Sequence, residues 1–152
     1  MPLSKIQTSS STGRRNLIIN GAMQLFQRAT AATAAASGYN TVDRFRGDTS
    51  TDGAFTTEKS TDNPFGTGSS LKAQVTTADT SLAASQYARI IQRIEAQNLQ
   101  HLLYGTSSAK TLTLSFWVKS NKTGIYSIIL VKSDNTAYHF THEYTISSAN
   151  TW

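Results

Sequence analysis

In residues 111–120 (TLTLSFWVKS) apolar and polar side chains alternate with a period of two, the pattern of a β-strand with one covered face. Leu112, Leu114, Phe116 and Val118 are expected to point into a core. Thr111, Thr113, Ser115, Trp117 and Lys119 point the other way, so a bulky indole stands where a simple sheet carries a polar group. A large aromatic on that face requires a partner. Residues 121–124 (NKTG) are a turn signal, and residues 125–131 (IYSIILV) are rich in β-branched and aromatic types. The two runs together predict an antiparallel hairpin.

The same period recurs along the chain. Leu71, Ala73 and Val75 alternate with Lys72, Gln74 and Thr76 in residues 70–77, a half-buried strand. In residues 137–146, Tyr138, Phe140, His142, Tyr144 and Ile146 form an aromatic face against His139, Thr141, Glu143 and Thr145. Residues 54–59 give a further short strand after the Asp52-Gly53 turn, while residues 41–46 alternate imperfectly. Residues 87–95 are ambiguous: Tyr87, Ile90, Ile91 and Ile94 fit a helical spacing, Ala88, Ile90 and Ile94 a strand interrupted at Gln92. Their isoleucines and the strand-rich surroundings favour the strand.

Asn16 to Gly21 is a short apolar run closed by an Asn-Gly turn signal, and residues 22–28 are read as extended. The Ala- and Thr-rich residues 29–37 and residues 62–68 are read as surface loops, and residues 98–105 as one or two helical turns capped by Gly105. Residues 1–15 lack apolar periodicity and are read as a flexible or partner-ordered arm. Many short strands without a βαβ rhythm predict an all-β chain, an antiparallel β-sandwich of jelly-roll type over residues 16–152 behind that arm.

Composition narrows the function. A length of 152 residues suits one domain, enough to bury about two thirds of the surface of the unfolded chain. The 41 Ser and Thr against 15% charged residues are the balance of β-rich extracellular or virion proteins. With no Cys, disulfides and thiolate metal sites are excluded. No stretch approaches the ~18 apolar residues of a membrane span, and residues 1–11 lack the apolar core of a signal segment. The formal charge of +5 invites a nucleic-acid reading, but Lys and Arg scatter from Lys5 to Lys132 with no run longer than Arg14-Arg15. The clustered basic footprint of nucleic-acid binding is missing.

An enzyme needs a convergent set of acids, bases or nucleophiles. His139 and His142, three apart in a strand, face opposite sides and do not jointly hold a metal. His139 and Glu143 share a face with Thr141 in the manner of an ordinary solvated strand, and nothing singles out two of the nine carboxylates for glycoside cleavage. No catalytic residue, metal or cofactor is assigned. Sugar binding is better motivated, because aromatic rings stack on sugar faces while polar groups fix the hydroxyls. Trp117, with Arg89 and Arg93 on a neighbouring strand, would form such a surface if those strands pair. The competing account covers Trp117 with the N-terminal strand or with another subunit, and leaves the arginines as ordinary ion-pair partners of Glu95 or other acids.

Four motifs in order carry a resemblance: Asn16 to Gly21 with Phe26-Gln27-Arg28, then Val42-Asp43-Arg44-Phe45, Tyr87-Ala88-Arg89 with Gln92-Arg93-Ile94-Glu95, and Leu114 to Ser120. Together they resemble bacteriophage tail-fibre and virion structural proteins, and the opening strand with the Ser-Phe-Trp-Val strand resembles the carbohydrate-binding-module jelly roll. The resemblance implies a virion location, a homotrimer, attachment to other virion proteins through the arm, and contact with a host surface glycan. Members of the group continue into further strands past the position of Trp152. It follows that the sequence is a fragment, that a neighbouring copy completes the sandwich edge, or that these proteins end differently here.

Overall fold

The computed structural model describes residues 16–29, 31–33 and 38–152. The proposed arm, residues 1–15, lies outside the described residues, as does most of the 29–37 loop. The described residues form seven strands: β1 (Ala31–Thr33), β2 (Phe45–Ser50), β3 (Ala54–Ser60), β4 (Ser70–Thr77), β5 (Tyr87–Gln92), β6 (Gly124–Val131) and β7 (His139–Ile146). All pairings are antiparallel, in a three-stranded sheet β1-β3-β4, a two-stranded sheet β2-β5 and a hairpin β6-β7. Two short 3-10 turns, Ala96–Asn98 and Gln100–Leu102, are the helical elements among the described residues. The chain is therefore all-β. It divides into two compact units, one ending at Leu112 and one spanning Thr113–Trp152.

In the first unit, β3 packs on β2 at a glycine. A Cβ on Gly47 would meet the Thr57 methyl at 3.8 Å and the Phe55 ring at 3.9 Å, so the bare backbone of β2 forms the floor on which Phe55 lies. Val42 and Phe55 are buried here, and the buried hydroxyls of Thr41 and Thr57 share a hydrogen bond of 2.6 Å. A buried hydroxyl pair of this kind satisfies two polar groups at once.

The Asn20-Gly21 turn appears as the sequence predicts, and Asn20 is its centre. Its backbone is left-handed (φ 56°), a conformation that Asn tolerates better than most residues. The Asn20 amide donates to the carbonyls of Leu25 and Asp43 at 3.1 and 3.0 Å, while its oxygen accepts from the amides of Gln24 and Leu25. One side chain thus ties the opening segment to the turn before β2. A second tie comes from Gln92 at the end of β5, whose side-chain amide accepts from Ile19 N and donates to Ile19 O, both at 2.9 Å. That reciprocal pair imitates a rung of a β-ladder.

Strands β3, β4, β6 and β7 fall where the period-two pattern puts them, and residues 87–92 resolve as strand. Four expectations change. Residues 111–120 join no ladder; β6 pairs with β7 instead, through a turn in which Lys132 N donates to Tyr138 O at 3.0 Å. Phe116 meets the ring of Tyr144 edge-on at 5.3 Å, so the segment reaches the hairpin through its side chains while its backbone stays off the edge of β6. Ala31–Thr33 is a strand on β3, because ladder formation uses backbone groups and does not require an amphipathic face. Residues 22–28 contain no strand. Finally, the second 3-10 turn is closed by Leu103, left-handed at φ 54°, and Gly105 serves the turn that follows.

Candidate binding surface

Arg89 sits directly opposite Asp48 in the β2-β5 ladder. Because side chains alternate, Arg46, Asp48 and Ser50 of β2 share a face with Tyr87, Arg89 and Ile91 of β5. Both Arg89 Nε and Nη2 donate to Asp48 Oδ2, at 2.9 and 2.7 Å, and Arg46 Nη2 donates to Oδ1 at 3.3 Å. Asp48 is 5% exposed, whereas the side chains of Arg89 and Arg46 are 51% and 27% exposed. The carboxylate is the buried member and the guanidiniums look outward. Arg89 is further fixed by lying over the Tyr87 ring, 4.2 Å from its centre, a cation–π contact that holds the guanidinium plane in place.

Arg93 follows β5 and is exposed; its carbonyl accepts from Arg44 Nη2 at 3.5 Å, and its guanidinium makes no hydrogen bond among the described residues. Of the acids expected to pair with the arginines, Glu95 or others, Arg89 takes Asp48, while Glu95 pairs with Arg44 at 2.5 Å. That contact holds the Glu95 carboxyl below the usual carboxylate range, mainly through the hydrogen bond from Arg44, and raises Arg44 correspondingly. Trp117, 62% exposed, belongs to the second unit, and Arg89 and Arg93 to the first.

The second unit has its own aromatic surface. Tyr126 and Tyr144 are opposite each other in the ladder and stack at 5.8 Å, and Phe140 stacks with His142 at 6.3 Å. Burial pushes the Tyr144 phenol up, with Tyr126 adding to the effect. Tyr126 donates to Lys122 O at 3.0 Å and bonds the Ser120 hydroxyl at 2.9 Å, closing the turn before β6. His139 and His142 occupy opposite faces of β7, as the spacing predicts, and no group of three or more acidic or imidazole side chains that could hold a metal occurs among the described residues. Asn16, Leu17, Ile19, Gln97, Asn98 and His101 line an open depression of about 480 Å³ in the first unit.

Asp48 and Arg46 were assigned to no site by sequence reasoning, and Tyr87 entered it only through its spacing and its motif. The signal for them is the Arg-x-Asp spacing in β2, which puts both charges on one face, but using it requires the β2-β5 register. No helix among the described residues is long and apolar enough to cross a membrane. No family model matches the chain, and neither curated proteins nor solved structures compared with it give a match.

Proposed function

We propose that the chain is a structural component of a tailed-bacteriophage virion, a tail-fibre or tail protein acting in assembly and host attachment. Its strands form a jelly-roll β-sandwich within a homotrimer, and residues 1–15 join it to other virion proteins. The observation that carries the assembly part is the state of residues 111–120: the clearest strand pattern in the sequence joins no sheet, and Leu112, Leu114 and Phe116 are 42%, 46% and 48% exposed. An exposed apolar run of this kind calls for a cover. The four ordered motifs and the all-β fold agree with the virion assignment.

Light scattering on the purified 152-residue chain tests the reading. A trimer is expected, with Trp117→Ala yielding monomer or aggregate; a well-folded monomer overturns the trimer. Deleting residues 1–15 is expected to leave a folded domain that no longer joins particles, and normal incorporation refutes the arm. A second reading, recognition of host surface polysaccharide, is favoured by one observation, the outward guanidinium of Arg89 held by Asp48 over Tyr87. Arg93, just past β5 in the same unit, is assigned to it with Arg89, while Trp117 lies in the other unit.

A further inference from the structure

We infer that the β2-β5 face is a subsite for an anionic saccharide, with the Arg46 and Arg89 guanidiniums receiving its acidic group. The inference rests on the glycan reading and narrows its ligand class. A guanidinium has five N–H donors. The Arg89 guanidinium gives Nε and Nη2 to Asp48 and makes no other hydrogen bond among the described residues, which leaves the donors of Nη1 uncommitted on a half-exposed side chain. Arg46 likewise directs one nitrogen to Asp48. One buried carboxylate therefore orients two cations, and the trio keeps a net positive charge.

The order of burial decides the role. An ordinary surface ion pair leaves both partners mobile and solvated and contributes little. Here the acid is buried and the bases are preorganised, by two hydrogen bonds and an aromatic face for Arg89, which is the arrangement that lowers the entropic cost of binding an anion. Planar guanidinium forks match carboxylate and phosphate oxygens. Tyr87, 38% exposed beside them, adds ring surface of the kind sugars stack upon. Arg44, paired with Glu95, and Arg93 flank the end of the same pair of strands, and Arg93 extends the positive field. Neutral sugars have no use for this charge; uronic acids and phosphorylated sugars do.

Calorimetry of the full chain at low salt, with an oligogalacturonate, a phosphomannan oligosaccharide and a neutral dextran oligosaccharide, tests the inference. The two acidic probes distinguish a carboxylate source from a phosphate source. Binding of one or both acidic probes is expected, and it should weaken about tenfold or more in the double variant Arg89→Gln/Asp48→Asn, the loss typical of hydrogen bonds to a charged group. That variant keeps the overall charge and leaves no carboxylate buried alone, so it separates a fixed site from bulk attraction. Lys72→Ala, which lowers the net charge on a different sheet, is expected to change binding little. Equal weakening by Lys72→Ala, or none in the double variant, overturns the subsite. Binding of dextran alone overturns the anionic class while sparing the glycan reading. Binding of none of the three overturns the inference and leaves the assembly reading to its own test.

Discussion

The two compact units are built from the same kind of strand and hold together differently. Before Leu112, contacts of long sequence separation dominate: Asn20 to Asp43, Ile19 to Gln92, Thr41 to Thr57 and Asp48 to Arg89. Val42, Phe55 and Leu102 are buried there. In Thr113–Trp152 the ladder is equally regular, but Ile146 is the large apolar side chain that reaches burial, while Ile125, Ile129, Leu130, Val131, Tyr138 and Phe140 stay exposed. A two-stranded hairpin is marginal alone in water. Hydrogen bonds give the second unit its shape, and its apolar surface is left for a cover to stabilise.

Phenylalanines in the two regions sharpen that contrast most. Phe55→Ala is expected to destabilise the chain by about 3 kcal/mol, since it opens a cavity over Gly47. Phe140→Ala, at a position 60% exposed, is expected to cost under about 0.5 kcal/mol in the isolated chain. Urea unfolding followed by far-UV circular dichroism compares them. Similar losses would break the comparison, and a Phe140→Ala variant that changes the oligomer without changing chain stability would place the cover on the hairpin.

Asn20 tests the long-range ties. Asn20→Ala removes four hydrogen bonds and makes the left-handed backbone costlier, with an expected loss of about 1–3 kcal/mol. Asn20→Asp keeps the accepting oxygen and loses the bonds donated to Leu25 and Asp43, so its midpoint should fall between those of wild type and Asn20→Ala. If Asn20→Ala unfolds at the wild-type urea concentration, the opening segment is not secured in this way.

What could be read from the chain follows the range of the interaction. The bounds of β4 were legible to the residue because Leu71, Ala73 and Val75 encode a period of two locally, but the covered face expected of them is exposed at Ala73 and Val75. The Asn20-Gly21 turn was legible because turn chemistry is local too. Residues 111–120 carried the strongest pattern and joined no sheet, since periodicity reports a face and says nothing of a partner for the backbone. The Ala31–Thr33 strand has almost no pattern and was missed for the converse reason. At the candidate surface, Arg89 was named for a place on a strand beside that of Trp117, a pairing that does not form because β5 pairs with β2, while Asp48 stayed hidden: its importance comes from sitting opposite Arg89, a property of register that neither strand states by itself.

Acid should separate the units with the smallest effect. Asp79 accepts from the Thr51 hydroxyl at 2.7 Å and from the amides of Ser81 and Asp52, and these bonds hold its carboxyl below the ordinary value, the Thr51 bond contributing most. Glu95 is lowered chiefly by its hydrogen bond from Arg44. A carboxyl whose folded pKa is depressed contributes stability above its unfolded pKa, about 4, and loses it as the pH falls through the lower folded value. Both groups belong to the unit that ends at Leu112, whereas the two tryptophans, Trp117 and Trp152, lie in the other. Between about pH 5 and pH 2.5, amide protection in β2 and β5 should therefore decline before tryptophan fluorescence changes. Asp79→Asn and Glu95→Gln should each flatten part of that decline. A fluorescence change that comes first would show that acid acts on the hairpin unit, and the difference between the regions would have to be sought in something other than these two carboxylates.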